Sequence, residues 1–300
     1  MPADAAVLTT GAQEPEPLDS PPPERDRVTP AIRVAVRYAL LTLLALLILF
    51  PIYITVVNSL LKPDQIASRP PLLFPTDPQW DTYSKAWEQG NLGRYLFNSF
   101  VVTAIIVVAQ LLTSIFAAYA FAFLEFPLKR TLFFVFIATL MVPFEVVFFT
   151  NYNTVNDLGF YNTYAGLALP FLATGFGAFL VRQAFLVTPR DLRDAAQLDG
   201  YGHWRFMWRV AVPLARPAIA ALAVFSFLAA WGEYLWPLII TDDAQYRTVQ
   251  VGLRQLSRTS IDQINVTFAG VVLASLPLFV LLLVFQKQLV RGLTAGAVKG

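Results

Sequence analysis

The sequence predicts an all-α, polytopic membrane protein with six transmembrane helices. Three observations carry this reading. The 300-residue chain is 56% hydrophobic and only 14% charged, where a soluble domain carries about 25% charged residues. Its apolar residues gather into six runs, each close to the ~20 residues a helix needs to cross a bilayer. Its Lys and Arg divide unequally between the segments that alternate runs would leave on the two sides. Mean hydropathy is correspondingly high, at +0.57.

In chain order, residues 1–32 come first. They are rich in Pro and acids (Glu14, Glu16, Asp19, Pro21-Pro22-Pro23, Glu24, Asp26). Such a segment buries too little apolar surface to fold and is expected to be a disordered cytoplasmic N-terminus. No short apolar core with a small-residue cleavage site follows it, so it does not read as a signal peptide. Residues 33–300 then form the transmembrane domain. The spans are expected near 34–57, 96–124, 132–149, 164–185, 218–240 and 266–289. The 25 Phe, 11 Tyr and 6 Trp fall often near span ends, where amphipathic rings favour the interface. With the N-terminus inside, fifteen of the 22 Lys and Arg lie in inner segments. That bias places both termini in the cytoplasm of a multi-pass protein of the inner (plasma) membrane.

The outer loop over residues 58–95 is long and carries Pro70, Pro71, Pro75, Pro78, Trp80 and Trp87. It reads equally as a lid of short interfacial helices and as a docking surface. The loop over 188–217, TPRDLRDAAQLDGYGHWRFMWRVAVPLARP, is more informative. Thr188 is a good N-cap, Pro189 suits the first helical position, and Asp191 falls where a capping-box acid belongs. A short helix should run to Asp199, with Gly200 as its left-handed terminator. The small pair Ala195-Ala196 permits close approach of another surface. A second short helix should present Trp204, Met207, Trp208 and Ala211 on one apolar face. Pro213 and Pro217 mark the return to the membrane.

Several functions are excluded or disfavoured. The chain has no Cys and one His, His203, so thiol chemistry, a multi-His metal site or a His-based triad cannot be built in it. No metal site is expected. Gly200-x-Gly202 and Gly175-x-Gly177 follow no strand, and no phosphate-binding G-x-x-x-x-G-K-[ST] loop occurs. A net charge of +2 provides no field for nucleic acid. Asn265-Val266-Thr267 matches a glycosylation acceptor but abuts the sixth span.

Asp194-Ala195-Ala196-x-x-Asp199-Gly200, with Phe206 and Pro213 downstream, resembles the "EAA" loop of ABC-importer permeases. Asp194 stands where that pattern has Glu, and Tyr201 where it usually has Ala. Trp231-Gly232-Glu233-Tyr234-Leu235-Trp236-Pro237-Leu238 is similar to a run in span five of carbohydrate-type permeases. The C-terminus from Val290 to Gly300 resembles the tail of the maltose-importer permease. Thr139-Leu140-Met141-Val142-Pro143-Phe144-Glu145-Val146 looks closest to the glycerol-3-phosphate subgroup. The resemblance covers residues 33–300. It implies a type I ABC-importer permease fold and a coupling helix that docks on a cytoplasmic ATPase. Gly296, Val298 and Lys299 would lie in a tail that reaches toward that ATPase. It implies a second, homologous permease, a dimer of ATPase subunits and an extracytoplasmic substrate-binding protein as partners. This chain would hold no cofactor and be no enzyme, since ATP and Mg would be bound by the ATPase. The implied substrate is glycerol-3-phosphate or a glycerophosphodiester such as glycerophosphocholine. The alternative is a sugar such as maltose or trehalose.

Charges at membrane depth are costly and mark candidate sites. Glu145 follows the helix-breaking Pro143, and Glu233 lies between Trp231 and Trp236. Each is a pathway candidate or a pairing residue for a neighbouring subunit. Tyr234, Asn151 and Asn153 join them as pathway candidates. Asn98, Gln110, Asn151 and Asn153 are equally readable as helix–helix hydrogen bonds. Carboxylates would repel a phosphate, which calls for Arg, Lys, amides or a helix N-terminus. A self-sufficient secondary transporter could use the two Glu for protons, but six spans without an internal repeat weigh against it.

Overall fold

A computed structural model of the chain describes residues 28–260 and 262–294, and these are helical with no strand among them. The chain divides into two units, residues 1–52 and 53–300. Helix α1 (Val28–Leu60) supplies the described part of the first unit and continues into the second. It begins before the boundary expected near residue 33, because Pro30 falls in the first turn, where no amide hydrogen is needed.

In the second unit the loop over residues 58–95 holds two short helices, α2 (Pro63–Ile66) and α3 (Asp81–Gln89). Lys62 and Asp77 pair across it at 2.8 Å, and that hydrogen bond holds the Asp77 carboxyl below its usual range. The spans follow. Helix α4 (Leu92–Phe123) is long and unbroken. Helix α5 (Lys129–Ala138) runs through a 3-10 turn to Met141, and α6 (Phe144–Asp157) follows at 94° to it. Helix α7 (Tyr164–Ala168) and its 3-10 turn meet α8 (Gly175–Leu186) at 52°. Helices α9 (Arg190–Leu198), α10 (His203–Phe206) and α11 (Val212–Leu214) make the loop over residues 188–217. Helix α12 (Arg216–Gly232) turns 78° away from it and is followed by α13 (Leu235–Ile240), α14 (Val249–Thr259) and α15 (Ile264–Thr294).

Among the described residues three helices, Ile32–Leu60, Leu92–Phe123 and Ile264–Lys287, are each long and apolar enough to cross a membrane, and the number rises to as many as six if each of three bent pairs is one span. The expected third span is thus broken at Pro143, and the expected fifth ends at Gly232 with a separate α13 beyond. Pro143, lacking an N–H and holding ψ at 142°, forces the first break.

Helix α4 is the hub, packing along α8 and α12 and touching α7, α14 and α3. Gly177 lets α8 approach so closely that a Cβ there would collide with Ser114 of α4. A break at membrane depth must satisfy its freed carbonyls inside the protein. Helix α4 does this for the fourth span: Gln110 Nε2 donates to the Phe171 carbonyl at 2.8 Å and Thr113 Oγ1 to that of Leu172 at 3.2 Å. Ser226 of α12 in turn donates to Gln110 Oε1 at 2.6 Å. Asn98 is likewise committed, giving its amide to the Gln245 and Arg247 carbonyls and taking the Tyr164 hydroxyl, each at 2.8 Å. Both residues are therefore helix-bridging groups. Asn265, the acceptor of the sequon, is buried and bonds the Leu61 carbonyl.

Candidate functional site

The loop over residues 188–217 presents the first candidate surface. Helix α9 starts at Arg190, with Pro189 as its cap and no side-chain hydrogen bond there. Thr188 is therefore not the N-cap: Pro189 holds an extended ψ of 138°, which delays the helix by one residue. Asp191 stays in the first turn, where its charge suits the helix dipole. At the other end Gly200 has φ +73°. Its amide reaches the Gln197 carbonyl at 3.0 Å and that of Tyr201 reaches Ala196 at 2.8 Å, which is a Schellman termination.

The 3.6-residue period splits the alanine pair. Ala196 is buried among Phe123, Phe185 and Phe206, so it admits the protein's own bundle and not a foreign surface. Ala195 faces outward with Asp191, Asp194 and Leu198, and Leu198 is 90% exposed. Asp199 is exposed as well. Phe206 is a bracket for the loop: it is buried and meets the Phe123 ring edge-on at 5.3 Å. Pro213 is half-buried inside α11.

The second helix departs from its expected face. Phe206, Met207 and Ala211 are buried, Trp208 is half-buried and Trp204 is exposed. A π-helical turn over Met207–Ala211 is the reason, since it takes in one extra residue and rotates what precedes it. Trp204 instead stacks on Phe116 of α4, ring centroids 6.1 Å apart. His203 Nδ1 is 3.0 Å from the Tyr119 hydroxyl, also on α4.

The membrane-depth candidates separate into three kinds. Trp231 and Trp236 belong to the core. Trp231 is stacked on Phe227 and donates to the Ala274 carbonyl at 3.2 Å. Trp236 donates to the Gly166 carbonyl at 3.0 Å among Phe144, Phe148 and Phe171. Neither indole edge is exposed in this structure. Glu233 and Tyr234 form the break between α12 and α13. Glu233 Oε1 accepts the Trp236 amide at 3.2 Å, capping α13. The Tyr234 hydroxyl is buried without a hydrogen-bond partner among the described residues, and the Arg254 guanidinium of α14 lies 5.6 Å from its ring centroid. Glu145 is exposed in the first turn of α6, Asn153 is exposed and Asn151 half-buried on the same helix, and none has a side-chain hydrogen bond among the described residues. Around Glu145 the apolar Met141, Val146 and Phe149 are exposed. Gly296, Val298 and Lys299 lie outside the described residues.

The sequence model of the family described as binding-protein-dependent transport system inner membrane components matches residues 110–295. The chain belongs to this family of transport permeases. The sn-glycerol-3-phosphate transport system permease protein UgpE of Yersinia pestis bv. Antiqua (strain Antiqua) is 38% identical over 256 residues, 83% of this permease and 91% of the relative. The protein of the same description from Brucella abortus (strain 2308) is 37% identical over 268 residues, 85% and 94% of the two chains. Among solved structures, a chain of a bacterial ABC transporter involved in import of the acidic polysaccharide alginate superposes with a TM-score of 0.76. It is 22% identical and covers 89% of this permease and 99% of that chain, a likeness of fold.

The family match extends across the loop of α9–α11, both halves of the fifth span and all of α15. Two residues that motif reading passed over stand out in the permease. Leu198 was legible from the period of α9, which puts it with Asp191, Asp194 and Ala195. Arg254 was not, since only the fold brings α14 against the break in the fifth span.

Proposed function

We propose that this permease is the membrane subunit of an ATP-driven importer for glycerol-3-phosphate or glycerophosphodiesters such as glycerophosphocholine. The observation that carries the substrate is the set of relatives of that description, 36–38% identical across most of both chains. In this reading α9 docks on an ATPase dimer through Asp191, Asp194, Ala195, Leu198 and Asp199, and Ala196, Phe206 and Pro213 hold the loop to the bundle. Gly200 fixes where the loop turns. The tail residues Gly296, Val298 and Lys299 extend toward the same ATPase, which binds ATP and Mg. A second, homologous permease completes the pore, and an extracytoplasmic binding protein delivers the substrate. Both termini lie in the cytoplasm, residues 1–32 contribute no span, and residues 33–300 are the transporting domain.

The carboxylates are compatible with a phosphorylated substrate. Glu233 has its oxygen on the α13 amide, which offsets part of its charge, and Arg254 brings a cation to the same break. Glu145, Asn151 and Asn153 are among the polar groups of α6 without a side-chain hydrogen bond among the described residues, and they suit hydroxyls or a choline head. ATP would drive the cycle only through contacts that differ between inward- and outward-open states.

The test is substrate-stimulated ATP hydrolysis by the assembled complex in lipid, with binding protein. Stimulation by glycerol-3-phosphate or glycerophosphocholine is expected. Stimulation by maltose or trehalose alone would reject the substrate, and absence of any co-purifying ATPase would reject the importer.

A further inference from the structure

Behind α9, on the side that faces α4, lies a cavity of about 80 Å3. Arg193, Gln197, His203 and Tyr119 supply its polar wall, and the Tyr201 and Phe206 rings help close it. One water needs about 10–15 Å3 by this measure, so the cavity holds roughly five to eight waters or one tetrahedral oxyanion. No carboxylate lines it. Asp191, Asp194 and Asp199 of α9 are all exposed. Arg193 is half-buried and has neither an ion pair nor a hydrogen bond among the described residues. A second guanidinium, that of Arg205, stacks on the Tyr201 ring at 4.2 Å. The Tyr119 hydroxyl occupies His203 Nδ1 at 3.0 Å, which leaves Nε2 as the ring nitrogen available to a ligand.

We propose that this cavity binds a phosphate group, with Arg193 as the charged anchor and Gln197 and His203 as flanking donors. A partly desolvated guanidinium without a counter-charge is costly, and its planar fork of donors matches a phosphate in bidentate fashion. A cation is disfavoured by the Arg193 guanidinium and by the absence of acids among the lining residues. A bound phosphate would bridge α9 to the end of α4 and stiffen the 188–217 loop against the span. The proposal is independent of what the importer carries. The phosphate could belong to a soluble ion or to a lipid headgroup at the inner membrane surface, since both present the same oxygens.

The experiment is equilibrium dialysis of labelled inorganic phosphate against the assembled importer in maltoside micelles. Binding protein is omitted and the ATPase sites are filled with Mg–ADP. Wild-type complex is expected to bind one phosphate whose affinity falls at least tenfold in Arg193→Gln. Arg209→Gln, an exposed Arg that does not line the cavity, should leave it unchanged. Displacement by short-chain phosphatidylglycerol assigns the site to a headgroup, and persistence in its presence assigns it to the soluble ion. If phosphate does not bind, labelled phosphatidylglycerol is dialysed in its place with the same variants. If Arg193→Gln fails to assemble, Arg193→Lys and Gln197→Leu carry the comparison. Neither ligand binding in a way that depends on these residues would overturn the proposal.

Discussion

Replacing Gly200 by Val should uncouple ATP hydrolysis from transport. The residue closes α9 at φ +73° with open space around it: a Cβ added there meets nothing within 4 Å. The whole penalty is therefore backbone strain. A side chain held in the left-handed region costs about 1–3 kcal/mol, and a β-branched one belongs at the upper end. At ~2–3 kcal/mol the closed form of the turn loses about 30- to 140-fold in population. The Gly200–Gln197 and Tyr201–Ala196 hydrogen bonds open with it, and α9 no longer presents one fixed face. The assay is substrate uptake per ATP hydrolysed in proteoliposomes, alongside the melting temperature of the complex. Gly200→Asn, which tolerates this backbone, should stay near wild type. Gly159 provides a control, because it has the same φ, the same open surroundings and the same pair of terminating hydrogen bonds at the end of α6. Gly159→Val should lower stability by a similar amount yet leave the uptake ratio intact. If Gly200→Val transports with the wild-type ratio, or Gly159→Val uncouples equally, the role given to the loop is wrong.

Three other outcomes are expected. Leu198→Asp should leave the melting temperature of the permease within the scatter of surface substitutions, ~0.5 kcal/mol, while ATPase co-purification falls; full retention of the ATPase would remove Leu198 from the interface. Glu233→Gln keeps an oxygen for the Trp236 amide and Glu233→Ala does not, so a purely capping role costs about 1 kcal/mol in Ala alone. Loss of transport in the folded Gln variant would instead reveal a need for the charge. Gln110→Leu strands the Phe171 carbonyl at membrane depth and should destabilise by about 1–2 kcal/mol, measured by thermal unfolding in lipid; an unchanged melting curve would mean that the break in the fourth span does not depend on Gln110.

The sequence by itself determined the class of solvent, the number of apolar segments and the C-terminal end of α9. These are local properties: run length, charge spacing, and the left-handed backbone that a glycine after Asp199 permits. Tertiary structure decided which face of each segment does what. Ala195 and Ala196 are alike in the string, but the ~100° step between helical neighbours sends the first outward and the second into Phe123 and Phe206. The π-helical turn that rotates Trp204 out of the core has no signature in the apolar spacing. Trp231, Trp236 and Glu233 share one motif, yet two indoles are used up on carbonyls of distant helices and the carboxylate caps α13. Whether a polar group at membrane depth is free or already bonded depends on where remote backbone breaks fall, and only the assembled bundle fixes that.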